Sequence, residues 1–230
     1  MSHGIGFAYS PEIRARYPQL VGGVIFASGL RNGATPPDLL ALYQAEQAAV
    51  KGRIGDTPLS EIKSLAAWRS VFRSFGVDPT QTRSACEALL RRLTKQGDIP
   101  SINALVDMGN LISIRYGLPV AVLDVARASG TITVRFADGT ERFTNLGQAE
   151  TVAPESGEVI FADVTGTVFA RRWCWRQSDE SAAREATTDV IITIEGQHAD
   201  AESDVTAAIR DLTALLAQYA GGEITNQLYK

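Results

Sequence analysis

The sequence predicts an α+β fold, with helices in its first half and mostly antiparallel strands in its second. Three observations lead there. Apolar residues recur at helical spacing before Pro119, and after it the repeat shortens to two residues. Helical and strand segments do not alternate, which separates the pattern from a parallel α/β sheet. The chain has 230 residues, 45% of them hydrophobic and 21% charged, enough to bury a substantial core and too balanced for disorder.

Each element follows in order. The apolar run Leu20–Leu30, with β-branched residues and glycines, reads as a first strand. Thr35 is placed to cap a helix with Pro36 at its first position; it runs through Leu39–Lys51 and stops near Gly52. Thr57 or Ser60 opens a second segment, whose Trp68, Val71, Phe72 and Phe75 make an apolar stripe. Asp78-Pro79 restarts the chain, with Gln81 completing a capping-box pattern, and that helix ends at Gly97. A fourth helix follows Pro100-Ser101 and ends at Gly117-Leu118-Pro119. Strands are then expected over 120–126, 130–137, 141–147, 157–164, 166–177 and 189–196, with a loop or short helix over 178–188. A final helix spans about Ala201 to Tyr219 and closes at Gly221-Gly222. Without a linker, repeat or low-complexity tract, residues 1–230 read as one domain with a helical part over 1–97.

Charge and composition restrict the function. With 22 basic and 26 acidic side chains the net charge is −4, whereas proteins that hold nucleic acid non-specifically are usually basic. A nucleic-acid role must rest on a local patch. The N-terminus lacks a cationic start followed by a long apolar run, and no apolar stretch approaches the ~20 residues of a membrane span. The expectation is a cytoplasmic protein with no membrane partner. Cys86 and Cys174 make neither a disulfide framework nor a metal cluster and suit a reducing compartment.

Familiar catalytic signatures are missing. His3 and His198 have no metal spacing, and there is no Walker loop, dinucleotide fingerprint or nucleophile elbow. Gly4-Ile5-Gly6 reads as a flexible terminus and Cys86 as a small core hydrophobe. Neither a metal nor a cofactor is expected.

Three constellations stand out. Asn103, Asp107 and Asn110 fall at i, i+4 and i+7 of the fourth helix, a polar stripe flanked by apolar residues and therefore partly buried. Such groups need hydrogen bonds: they either cap neighbouring turns or face a ligand pocket. In the run Arg171–Gln177, strand alternation puts Arg171, Trp173 and Trp175 on one face and Arg172, Cys174 and Arg176 on the other. The two arginines of the second face suit a phosphate or carboxylate, or acidic neighbours such as Glu158 and Asp163. The tryptophans suit a core or a stacking platform. Arg83, Glu87 and Arg91 form an i,i+4 series whose plain explanation is a solvated ion-pair ladder.

Over the fourth helix and the turn after it, Pro100, Ile102, Asn103, Val106, Asp107 and Asn110, then Gly117, Pro119 and Asp124, carry a specific pattern. It resembles the signature of the B3/B4 domain, the editing domain of the phenylalanyl-tRNA synthetase beta chain. The resemblance covers about 98–195, and 68–92 with the Arg171–Gln177 run resemble freestanding relatives of that module. It implies a B3/B4-like fold and hydrolysis of a wrongly charged aminoacyl-tRNA by a positioned water, helped by the substrate's own hydroxyl. Such an activated ester needs orientation and electrostatic support more than a triad.

The same resemblance makes Asn110 and Pro119 pocket residues. Combined with the polar stripe and the arginine run, an editing reading puts Asn103, Arg172, Arg176 and Gln177 around the substrate, with Asn110 and Asp107 as catalytic candidates. The resemblance puts the family's acidic pocket residue within Gln177–Glu180. The family's threonine before the asparagine is Gly109 here, and its histidine after the proline is Ala121, which implies an altered amino-acid specificity. The expected partner is the aminoacyl-tRNA acceptor end, not DNA. The alternative is a non-catalytic module binding RNA, an amino acid or a small metabolite. Hydrolysis of another aminoacyl ester or amide in the same pocket is a third possibility.

Overall fold

The computed structural model describes residues 4–230; His3 lies outside them. Two sheets and a helical layer stack in three tiers. The central sheet has the order β11-β2-β10-β3, formed by Glu223–Tyr229, Val21–Ser28, Val190–Gly196 and Val120–Asp124, all antiparallel. The second sheet has the order β1-β4-β7-β8-β9: Phe7–Tyr9, Ile132–Phe136, Val159–Ala162, Val168–Arg171 and Arg176–Gln177, with only β1 and β4 parallel. A small hairpin, β5 (Phe143–Thr144) with β6 (Thr151–Val152), packs outside it. The observed class is α+β, as the sequence predicts.

Period-two alternation in the central sheet explains the layering. Ile25, Ala27, Val122, Ile192 and Ile194 bury against helices α2 (Pro37–Ile54), α4 (Ala85–Gln96), α5 (Ala104–Tyr116) and α6 (Ala201–Tyr219). Val24, Leu123 and Ile191 point the other way, into a core with Phe7, Val134, Phe161, Phe169 and Trp173. Helix α3 (Lys63–Ser74) sends Trp68 and Phe72 into that second core, while α1 (Pro11–Arg16) adds Ile13.

Several expected boundaries move, each for a local reason. Pro36 caps α2 and Pro37 opens it, because the Thr35 hydroxyl donates instead to Asp107 at 2.6 Å. The helix continues past Gly52 to Ile54. Asp78 closes a turn on the backbone and hydroxyl of Thr80, both at 2.8 Å. Helix α4 therefore starts later, behind Ser84, whose hydroxyl accepts from the Glu87 amide at 3.2 Å. Asn103 lies at the N-cap of α5, not within it, so the expected stripe begins one turn late. Of 141–147 only Phe143–Thr144 is strand. The expected strand 166–177 breaks in a tight turn, where Arg172 and Trp173 take left-handed φ values of 45° and 55°. Gly4–Gly6 is not loose: the Gly6 carbonyl accepts from Ile132 N at 2.9 Å, and Ile5 packs on the second core.

Candidate functional site

Between β3 and β10 on one side and β7–β9 on the other lies a cavity of about 510 Å³. Its walls are mainly apolar: Pro119, Ala121, Phe161, Ala170, Trp173 and Trp175. Thr193 and Glu195 supply polar groups from β10, and Asn145, Gln148, Arg176 and Gln177 supply others.

Glu195 is the unusual member. Alternation along β10 sends Ile191, Thr193 and Glu195 between the sheets, and Glu195 is 1% exposed. Its Oε1 accepts from the Tyr9 hydroxyl at 2.7 Å and from Trp173 Nε1 at 3.0 Å. Both bonds fall on the same oxygen. Burial pushes its pKa up to about 7, against the opposing pull of those two donors. Burial beside this carboxylate also raises the Tyr9 hydroxyl well above the usual tyrosine range.

The neighbours show why the carboxylate can sit there. Gly22 pairs with Glu195 across the sheet, and a Cβ at that position would lie 2.2 Å from the Tyr9 hydroxyl oxygen. Only glycine leaves room for the tyrosine. Trp173 is set by the left-handed turn, which Glu158 pins from below. Its carboxylate accepts from Arg172 N at 2.8 Å and from Arg171 at 2.8 and 2.6 Å. Two non-glycine residues in that region cost of order 1–3 kcal/mol each, and the bidentate Arg171–Glu158 pair offsets that cost. Trp173 also packs edge-on to Trp68, centroids 5.1 Å apart.

Elsewhere the walls are chemically quiet. Burial holds the Cys174 thiol well above its ordinary range, so it stays protonated and is no nucleophile. Gln177 donates to the Val122 carbonyl at 2.9 Å, tying β9 to β3. Arg176 is exposed, lies 4.4 Å over the Trp175 ring, and contacts Asn145 Oδ1 at 3.3 Å.

The structure thus brings Pro119, Arg176 and Gln177 together around the cavity and leaves Asn103, Asp107 and Asn110 outside its lining. Those three sit on α5, against the helical face of the central sheet. Asn103 caps α5 and donates to the Ala183 carbonyl at 3.0 Å. Asp107 accepts from Thr35, Ser101 and the Ile102 amide. Asn110 is half-buried beside the Tyr43 hydroxyl. Arg172 does not share a free cationic face with Arg176: it lies at 3.6 Å from Glu155 and 3.7 Å from Glu158.

Within Gln177–Glu180, Asp179 pairs with Arg184 at 2.8 Å and Glu180 accepts from Thr144 at 2.7 Å. The carboxylate on the cavity is Glu195. Its signal in the sequence was a single acid in the otherwise uncharged strand Val190–Gly196. Ala121 lies in the wall, whereas Gly109 packs under β3, where a Cβ would stand 2.8 Å from Val122 Cγ2. A threonine at 109 has no room. Among the described residues, no group of three or more His, Cys, Asp and Glu is arranged to hold a metal, and no helix is long and apolar enough to cross a membrane.

Residues 67–221 match the family model described as the B3/4 domain, and the chain belongs to that family. Curated proteins similar to it include beta subunits of phenylalanine–tRNA ligase. That of Geobacter metallireducens is 32% identical over 158 residues, 59% of this chain and 20% of the relative. That of Brucella abortus is 30% identical over 155 residues, 63% of this chain and 18% of the relative. The chain therefore spans a fifth or less of these relatives' length. A solved N-terminal fragment of the phenylalanyl-tRNA synthetase beta-subunit from Pyrococcus horikoshii overlays with TM-score 0.49 at 12% identity, covering 98% of this chain and 54% of that one.

Proposed function

We propose that this chain is an editing-type hydrolase that deacylates a mischarged aminoacyl-tRNA. The observation that carries this reading is the inter-sheet cavity, with a buried carboxylate in its wall, in a chain of the B3/4 family. Its volume of about 510 Å³ suits a small ligand such as an amino acid. The aminoacyl group enters with its side chain against Trp173, Phe161 and Ala121. Glu195, whose Oε2 is not used by Tyr9 or Trp173, accepts a hydrogen bond from the amino acid. Arg176, Asn145 and Gln148 meet the terminal ribose and phosphate.

Water then attacks the ester carbonyl, the carbon–oxygen bond to the ribose breaks, and the water proton ends on the ribose oxygen. Positioning supplies most of the acceleration, with the ribose's neighbouring hydroxyl assisting. Asn110 and Asp107 act in this scheme through the fold of α5. Ala121 replaces a polar group with space, which alters which side chain fits.

The test is deacylation of a panel of mischarged tRNAs by wild type, Glu195→Gln and Arg176→Ala, with folding checked by circular dichroism. One charged species should turn over, with a loss of about tenfold or more in the folded Glu195 variant. No turnover above background across the panel overturns the proposal. The second reading, a non-catalytic binding module, is favoured by a lining without histidine and with a protonated Cys174 thiol. A binder of free amino acids would be stabilised thermally by RT ln(1 + [L]/Kd) while hydrolysing nothing.

A further inference from the structure

The Arg83–Glu87–Arg91 series does not form a continuous ladder. Glu87 is buried at the head of α4 and is occupied from one side, by Arg69 at 2.5 Å and Arg83 at 3.8 Å. Arg91 has no acidic partner within salt-bridge distance among the described residues, and neither has Lys95 one turn further on. Both are exposed. With Arg69 and Arg83 they line a groove of about 530 Å³ between α3, α4 and the turn Leu59–Glu61. Four cations there face two carboxylates, Glu87 and Asp56. In a chain of net charge −4, this is a local reversal of sign.

The head of α4 links the groove to the cavity. Ala85, the first residue of α4, lines the cavity and donates its amide to the Cys174 carbonyl at 2.7 Å. Arg172 approaches Thr82, just before Arg83, at 3.4 Å, and shares the Trp175 ring with Arg176. Arg176 at the cavity and Arg83, Arg91 and Lys95 on α4 are the cations of this path, with about 15 Å of helix between Ala85 and Lys95; Arg172, which touches both ends of the link, is itself paired with Glu155 and Glu158.

We infer that this groove binds the phosphodiester backbone of the RNA whose aminoacylated end enters the cavity. The inference rests on the deacylase reading for the identity of the RNA, but its own evidence is the row of cations. A phosphate backbone complements exposed, carboxylate-free lysine and arginine heads, and it releases counterions on binding. Arg69 and Arg83 are held in place by Glu87; Arg91 and Lys95 are free to pair with phosphate. An acidic protein with one such strip binds RNA weakly and in one orientation, which suits a transient encounter.

The experiment measures binding of uncharged tRNA to the full chain at several salt concentrations, for wild type and for the double variant Arg91→Glu, Lys95→Glu. Neither residue is buried or paired, so the fold should survive, as circular dichroism will show. The variant should bind about tenfold or more weakly at low salt, and its slope of log K against log salt should shrink by about 1.5. A variant matching wild type in both overturns the inference. So does a wild type that binds inorganic polyphosphate but not tRNA, which would make the groove a general polyanion site. Because the tRNA is uncharged, the result stands whether or not the cavity hydrolyses anything, and failure of one proposal is distinguishable from failure of the other.

Discussion

Asp107 and Glu195 are both buried carboxylates, on opposite sides of the central sheet, and they are treated differently. Asp107 uses both oxygens: Oδ2 takes the hydroxyls of Thr35 and Ser101, and Oδ1 takes the Ile102 amide at 3.0 Å. Glu195 places both of its donors on Oε1 and lines a cavity. A buried acid with both oxygens engaged is a fastening, since little capacity is left for a ligand. An acid that is half satisfied at a cavity wall holds unspent binding capacity. By this criterion the α5 stripe holds the loops 32–35 and 101–103 to the helix, while β10 presents an uncommitted carboxylate oxygen at the cavity wall.

The largest effect that would test the contrast is on stability. Asp107→Ala removes the shared acceptor of three hydrogen bonds made to a buried carboxylate, and we expect a loss of about 3–5 kcal/mol. Urea unfolding should show a lower midpoint with an unchanged slope. A loss below about 1 kcal/mol would remove Asp107 from the role of fastening.

The next effect is a pH dependence. Burial raises the Glu195 pKa from an ordinary 4.5 to about 7, so the folded state holds its proton more tightly than the unfolded chain. That contribution is fully present below the unfolded pKa and is lost as pH rises through about 7. Stability should therefore fall between mildly acidic and neutral pH, by up to about 3 kcal/mol in all. Glu195→Gln keeps an acceptor for Tyr9 and Trp173 and should flatten that profile. An unaltered profile in the glutamine variant would mean that Glu195 titrates normally and is more hydrated than its burial implies.

How much of this was legible in the sequence depended on the range of the forces involved. Helices α2, α3, α5 and α6 and strands β2, β3, β4, β7 and β10 were readable because each carries its own period and its own glycine or proline boundary. Strands β1 and β11 were not, since each is defined by a partner far along the chain, β4 and β2. The break at Arg172–Trp173 was hidden because neither residue advertises a left-handed turn; Glu158, distant in sequence, holds it. In the site, Pro119, Arg176 and Gln177 were legible. Glu195 was not, because Gly22 and Tyr9, which make its position possible, come from other elements.

A smaller effect concerns Gly109. Alanine there would gain up to about 1 kcal/mol in helix propensity, but its Cβ would sit 2.8 Å from Val122 Cγ2. Overpacking costs about 1–3 kcal/mol, so the net change should be a destabilisation of about 1 kcal/mol. Gly109→Ala with Val122→Ala should recover part of that loss, because the second change removes the clashing methyl. Additive losses in the double variant would show that the two residues are not in contact.

The smallest expected effect, and the one that sharpens the contrast most, is at Asn110. It sits on the same helix as Asp107, yet it is only half-buried, and it lies beside the Tyr43 hydroxyl. Truncating Asn110 to alanine removes a polar group that water can partly replace, so stability should change by less than about 1 kcal/mol. If β10 carries the ligand, turnover or ligand affinity should stay within about threefold of wild type, a change in binding under 1 kcal/mol. A much larger loss in a folded Asn110→Ala protein would place the ligand on the helical side of the central sheet. Leftover hydrogen-bonding capacity would then be the wrong guide to function here, and α5 would have to open to admit what it binds.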